Sequence, residues 1–146
     1  MNTRTLTSAD CIFTISVDPL FPVAVRIQGF SADDITDIDA QTIKETSMGV
    51  DGRLSAGFIP APAMQNVTLQ ADSQSNDFFD AWATYERTYK RALVATGQII
   101  LPAVDKVFIC ARGFLTTYAP MPAARKTLQP RRHTLTWQSV TPTPEI

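Results

Sequence analysis

The sequence predicts a mainly β domain: two packed antiparallel sheets, sandwich- or barrel-like, with one α-helix on the flank. Three observations carry that expectation. Short runs in which apolar and polar residues alternate recur along most of the chain, as half-buried strands require. Only one stretch, residues 75–93, spaces its large side chains at helical intervals. Ten prolines against six glycines suit many short elements joined by stiff turns. At 146 residues, 45% hydrophobic and 18% charged, the chain fits a single folded domain, 1–146, with a core large enough to sustain it.

The first two strands are "CIFTISV" (Cys11–Val17) and "VAVRIQGF" (Val23–Phe30), separated by "DPLFP", whose two prolines should break the ladder. A polar run rich in Thr and Ile, "DITDIDAQTIKETSM" (Asp34–Met48), reads as the next strand. "GVDGRLSAGFIPAPA" (Gly49–Ala63) holds three of the six glycines and two prolines, so it reads as a loop. Its Val50, Leu54, Phe58 and Ile59 are residues a merely solvated loop would not carry. "MQNVTLQAD" resumes alternation, with Val67, Leu69 and Ala71 on one face and Asn66, Thr68 and Gln70 on the other. "DSQSND" then offers N-cap side chains, and Asp77 suits the positive end of a helix dipole. The helix expected from Ser75 to about Leu93, ended by Thr96–Gly97, would turn Phe78, Trp82, Tyr85 and Tyr89 inward as core anchors, with Phe79 beside them. Glu86, four residues before Lys90, adds a supporting pair. Three strands follow, in "GQIILP", "KVFICARGFLTTYAP" and "RRHTLTWQSV", with Gly113 marking a bulge or bend in the second. The last sets His133, Leu135 and Trp137 opposite Arg132, Thr134 and Thr136, and "TPTPEI" (141–146) should be an extended tail. No internal repeat and no second domain is visible.

Chemistry is thin. A net charge of −1 asks for neither nucleic acid nor an anionic membrane. No apolar run approaches the ~20 residues of a membrane span. The N-terminus "MNTRTLTSADCIFTISV" lacks the long apolar centre of a signal peptide, so synthesis in the cytoplasm is expected. Cys11 and Cys110, in apolar strand-like runs, are expected as buried reduced thiols. The one histidine, His133, has no nucleophile elbow or orienting motif, so it reads as a sheet-surface or interface residue. Asp33, Asp34, Asp37, Asp39 and Glu45 cluster, but Thr36 and Ile38 fill what would be calcium-ligand positions and Asp39 replaces the required glycine. The cluster reads as a solvated strand face. No catalytic residue, metal or cofactor is expected, and an enzyme is not.

Taken in order, the elements resemble a phage tail tube protein of the kind shared by contractile tails and type VI secretion tubes. The polar strand "DITDIDAQTIKETSMGVDG" enters the glycine-containing loop "GVDGRLSAGFIPAPA", and the alternating strand "MQNVTLQAD" leaves it. "SQSNDFFDAWATYERTYKR" then caps into the single helix, and "ARGFLTTYAPMPAARKTLQPRRHTLTWQSV" returns as paired strands. The succession of "GVDG", a strand and "SND" carries most of the likeness, which spans Cys11 to Val140.

The resemblance implies a virion structural protein in the tail, a homo-oligomer whose hexameric rings stack into a tube that conducts genomic DNA without binding its sequence. Tail sheath, baseplate and terminator proteins would be its neighbours in a contractile tail, and it would not bind membrane by itself. It also implies a lumen strand, on which Asp33, Asp37 and Asp39 would face the channel while Ile38 and Ala40 face the core. The loop would be the inter-ring segment, with Val50, Asp51, Arg53, Leu54, Phe58 and Ile59 in the contact. A tube initiator or terminator forming one ring would share these features. A β-sandwich ligand-binding module is a further reading, and sizing as a monomer would favour it.

Overall fold

The structure is a computed structural model that describes residues 11–30 and 36–144. It contains nine strands and one α-helix: β1 (Ile12–Val17), β2 (Phe21–Ile27), β3 (Thr36–Ile38), β4 (Lys44–Met48), β5 (Leu54–Phe58), β6 (Ala63–Leu69), α1 (Asn76–Tyr89), β7 (Ala95–Leu101), β8 (Lys106–Thr117) and β9 (Arg131–Pro144). Seven strands form one antiparallel sheet in the order β2-β1-β7-β8-β9-β6-β3, and β4 and β5 form a second, two-stranded one. The expected class, mainly β with two antiparallel sheets and one helix, is the one observed. No barrel closes. The large sheet curls until Phe30, just beyond β2, bridges Leu69 at the end of β6, and the Gln70 N–H meets the Gly29 carbonyl at 2.8 Å.

Alternation places the core. Phe13, Ile15 and Val17 of β1 are fully buried, and the β1–β7 register sets Ile99 and Ala95 beside them. Leu135 and Trp137 of β9 and Ala63, Val67 and Leu69 of β6 continue the same concave face. Helix α1 fills the concavity with Phe78, Phe79 and Trp82. Phe78 stacks on Phe21 near one sheet edge and Phe79 on His133 of β9, each with ring centroids 4.5 Å apart. One helix thereby ties distant strands together, each buried aromatic contributing about 1.5–3 kcal/mol by leaving water.

Several expectations need correction. Helix α1 stops at Tyr89 because Lys90 turns left-handed (φ 54°) and gives its N–H to the Glu86 carbonyl; Thr96 and Gly97 belong to β7. Tyr89, in the last turn, is 60% exposed and anchors nothing, while Tyr85 is half-buried and pairs with it at 4.6 Å. The unassigned anchor is Phe79, fully buried. Ser75 is the N-cap by position, yet its hydroxyl accepts the Gln28 N–H at 2.8 Å and so pins the helix start to the end of β2. Pro22 does not break β2, since an edge strand tolerates a missing donor; the register merely shifts between Ile15 and Val17. Residues 141–144 are ladder, not tail, with Pro144 opposite Lys106.

Around Gly113 the β7–β8 register shifts, and the preceding Arg112 sits at φ 45°. Gly113 lies against the Trp137 ring so closely that a Cβ would collide with it, which is why glycine stands there.

Candidate functional site

The segment Gly49–Ala63, expected as a loop, is most of a β-hairpin arm. Strands β4 and β5 pair with Lys44 opposite Phe58, Thr46 opposite Ala56 and Met48 opposite Leu54. Hydrogen bonds carry the pairing back toward the body: Ile59 N–H to the Ile43 carbonyl (2.9 Å), Gln41 Nε2 to the Ala61 carbonyl (3.0 Å) and Asp39 N–H to the Met64 carbonyl (2.9 Å). The polar run expected as one strand is therefore two, β3 in the large sheet and β4 in the arm. At the tip the Gly49 N–H meets the Arg53 carbonyl (2.8 Å), the Asp51 carboxylate accepts the Arg53 N–H (3.1 Å), and Gly52 takes φ 84°. The Asp-Gly pair supplies the turn chemistry this requires. About ten residues of ribbon at ~3.3 Å each give a reach of roughly 30 Å.

The two sides of the arm differ. Directly opposed residues on antiparallel strands share a side. Met48, Leu54, Ala56 and Phe58 lie on one, joined by Thr46 and Lys44, while Glu45, Ser47, Ser55 and Gly57 lie on the other. Every residue of β4 and β5 is exposed, Phe58 to 78%, and Val50 stands out at the tip between exposed Gly49 and Asp51. Arg53 is exposed as well, but Ile59 sits half-buried at the root. A two-stranded ribbon that shows water a continuous apolar side is marginal alone. Exposed apolar patches of this kind commonly mark interaction surfaces.

The convex face of the large sheet is the second surface. Asp37 and Asp39 lie there together, both accepting from Asn66 Nδ2 (3.3 and 3.2 Å), whose own Oδ1 takes the Thr134 hydroxyl at 3.1 Å. Asp33 lies outside the described residues. Ile38 packs against the core, whereas Ala40 is exposed because the chain has left the sheet by that point, correcting the expectation for it. Across the other strands this face carries hydroxyls and amides, including Thr14, Ser16, Gln98 and Thr136. Ser16 bonds Thr96 and Thr116 bonds Thr136, each at 2.9 Å. The register also puts Arg26, opposite Thr14, and Arg132, opposite Thr68, on this face, so its charge is mixed rather than acidic.

A partly buried polar cluster holds α1 to the β8–β9 connection. Arg131, 6% exposed, donates to Asp80 of α1 (2.6 Å) and to the Ala119 carbonyl (2.7 and 2.9 Å), and Tyr118 donates to the same Asp80 carboxylate. Burial pushes the Asp80 carboxyl up, but the Arg131 and Tyr118 hydrogen bonds and the Arg131 charge outweigh it and leave the group below its ordinary value. His133, expected at a surface, is fully buried between Phe79 and Tyr118, its Nδ1 accepting the Ala119 N–H. Burial, helped by the Arg131 charge, lowers its pKa from 6.5 to about 4, so the ring is neutral. Through Asp80 the cluster fastens the helix to the β8–β9 connection. Sequence reasoning missed it because Asp80 and Arg131 are 51 residues apart. Among the described residues no three His, Cys, Asp or Glu side chains are placed to hold a metal ion.

A family model described as tail fiber protein gp32 matches residues 4–141. No curated protein matches the sequence. Among solved structures, a chain of the anti-feeding prophage tube-terminating cap is similar with a TM-score of 0.56 at 13% identity, covering 99% of this chain and 94% of that one. A chain of the anti-feeding prophage baseplate, 6-fold symmetrised, gives 0.54 at 12% identity, covering 99% and 98%. One from the sheath-tube complex of the extracellular contractile injection system PVC gives 0.52 at 14%, covering 90% and 88%. At such identities the likeness is one of fold.

Proposed function

Since the chain belongs to the tail fiber protein gp32 family, it is a tail protein, and we propose that it is the structural subunit of a tail tube, assembling as hexameric rings that stack through the arm. The observation that carries this reading is the apolar side of β4–β5, which has no cover among the described residues. A stacked ring supplies that cover. The convex sheet face would then line the channel, where its hydroxyls and amides offer DNA neutral contacts and Asp37 and Asp39 repel phosphates, while Arg26 and Arg132 are the groups on it that could grip them. Sheath, baseplate and terminator proteins are the neighbours such a tube would meet. The fold shared with a 6-fold baseplate chain and with a sheath–tube chain supports the reading.

A second reading is a single-ring component that caps or starts the tube, favoured by the likeness to the tube-terminating cap. Negative-stain microscopy of the purified chain separates the two, giving long tubes for the first and isolated rings for the second. A protein that stays monomeric at every concentration would sink both.

A further inference from the structure

At the other edge of the large sheet from the arm, β2 and the start of α1 enclose an open groove of about 580 Å³. Phe21, Val25 and Phe78 supply its apolar lining, and Arg26 and Asp77 are its exposed charged residues. The register shift in β2 and the missing donor of Pro22 leave no regular edge for another strand to extend. Recognition there must come from side chains.

We infer that this groove receives the apolar side of the arm from a second copy of the chain, with Phe58 entering beside Phe21 and Phe78 and Lys44 meeting Asp77. The inference rests on the assembly proposed above and names the surface that the arm covers. Three observations select this occupant. The arm and the groove are two different surfaces of the chain, so docking one into the other can repeat from copy to copy. Lys44 is the only charged residue on the apolar side of β4–β5 and sits directly opposite Phe58, while Glu45 points to the other side. Asp77 provides the opposite sign beside Phe21 and Phe78, which suit Phe58, while Arg26 alternates with Val25 and shares the convex side of β2 with its partner Thr14. The contact thus pairs charge with charge and ring with ring.

The test is a charge exchange in the full chain: Lys44→Glu, Asp77→Lys and the double variant, each first shown by thermal melting to be folded. Sedimentation velocity over a concentration series, with negative-stain imaging, reads assembly. Each single variant should need at least about ten-fold more protein to assemble, since like charges would face each other in the contact. The double variant should return to within a few-fold of wild type. If wild type assembles and Asp77→Lys assembles equally well, or if the double variant is no better than the singles, the arm seats elsewhere and the inference is overturned while the assembly reading stands. A wild-type protein that never assembles overturns both.

Discussion

Replacing Phe58 with alanine tests whether the arm is an assembly device or a passive surface feature. Fully burying a phenylalanine is worth about 1.5–3 kcal/mol relative to leaving it in water. Phe58 is 78% exposed in the subunit, so most of that burial is still available when the arm docks. The loss per contact is then ~1–2.5 kcal/mol, or roughly five- to seventy-fold in its dissociation constant. In a ring every subunit contributes the same defect, so the concentration at which rings and tubes appear should rise steeply. Monomer stability should stay within about 0.5 kcal/mol of wild type, because Phe58 touches no core residue and surface substitutions rarely do more. Light scattering across a dilution series reads the threshold, and a thermal melt of the dilute protein reads the fold. Ser55→Ala, on the polar side of the same ribbon, is the control and should assemble normally. If Phe58→Ala assembles at the wild-type threshold into identical particles, the apolar side of the arm is not the contact.

Trp82→Ala should destabilise the subunit by ~3–5 kcal/mol, since the ring is fully buried, whereas Tyr89→Ala at the exposed helix end should cost well under about 1 kcal/mol; chemical denaturation separates them. His133 makes stability pH-dependent: its folded pKa of about 4 lies below the ordinary 6.5, so between those values the unfolded chain takes up a proton that the folded chain refuses. Stability should be full above pH 6.5, fall by up to about 3 kcal/mol on acidification to pH 4 and level below it, and His133→Gln should flatten that window in pH-dependent melts. Converting Asp37 and Asp39 to Lys removes both carboxylate acceptors of Asn66 Nδ2, a cost of about 1–3 kcal/mol, and in an assembled tube should create DNA retention that weakens as salt rises; a folded variant tube that releases DNA as wild type does would place these residues away from the channel.

How much of this was legible depends on the range of the interaction that decides each feature. Strands β1, β6, β7, β8 and most of β9 follow from alternation, which is local and strong where one face meets a packed core. The helix follows from its spacing, but its true anchors depend on where the curled sheet lies. Phe79 reaches His133 and is buried, while Tyr89 lies in the last turn beyond the concavity and is exposed. Spacing alone puts Tyr89 on the stripe and Phe79 beside it. The cluster around Arg131 is hidden for the same reason, because its partner is chosen by how α1 lands on the β8–β9 connection and not by neighbours in the chain.

The arm is the instructive failure. Its glycines and prolines satisfy every criterion for a loop, and its strands carry no alternation against a core of their own subunit. In β5, Leu54, Ala56 and Phe58 do alternate with Ser55 and Gly57, and Asp51-Gly52 is a hairpin turn pair; weighed together they spell a ribbon. Alternation marks a strand most plainly where one of its faces is buried within the same chain. Here every residue of both strands is exposed, so the pattern has no internal cause. Selection for folding alone would not hold leucine, methionine and phenylalanine on one side of a ribbon reaching roughly 30 Å from the body. On the proposed assembly, the apolar side is the contact that forms after folding, and the residues that hide the ribbon in a single chain are those that would specify its stacking.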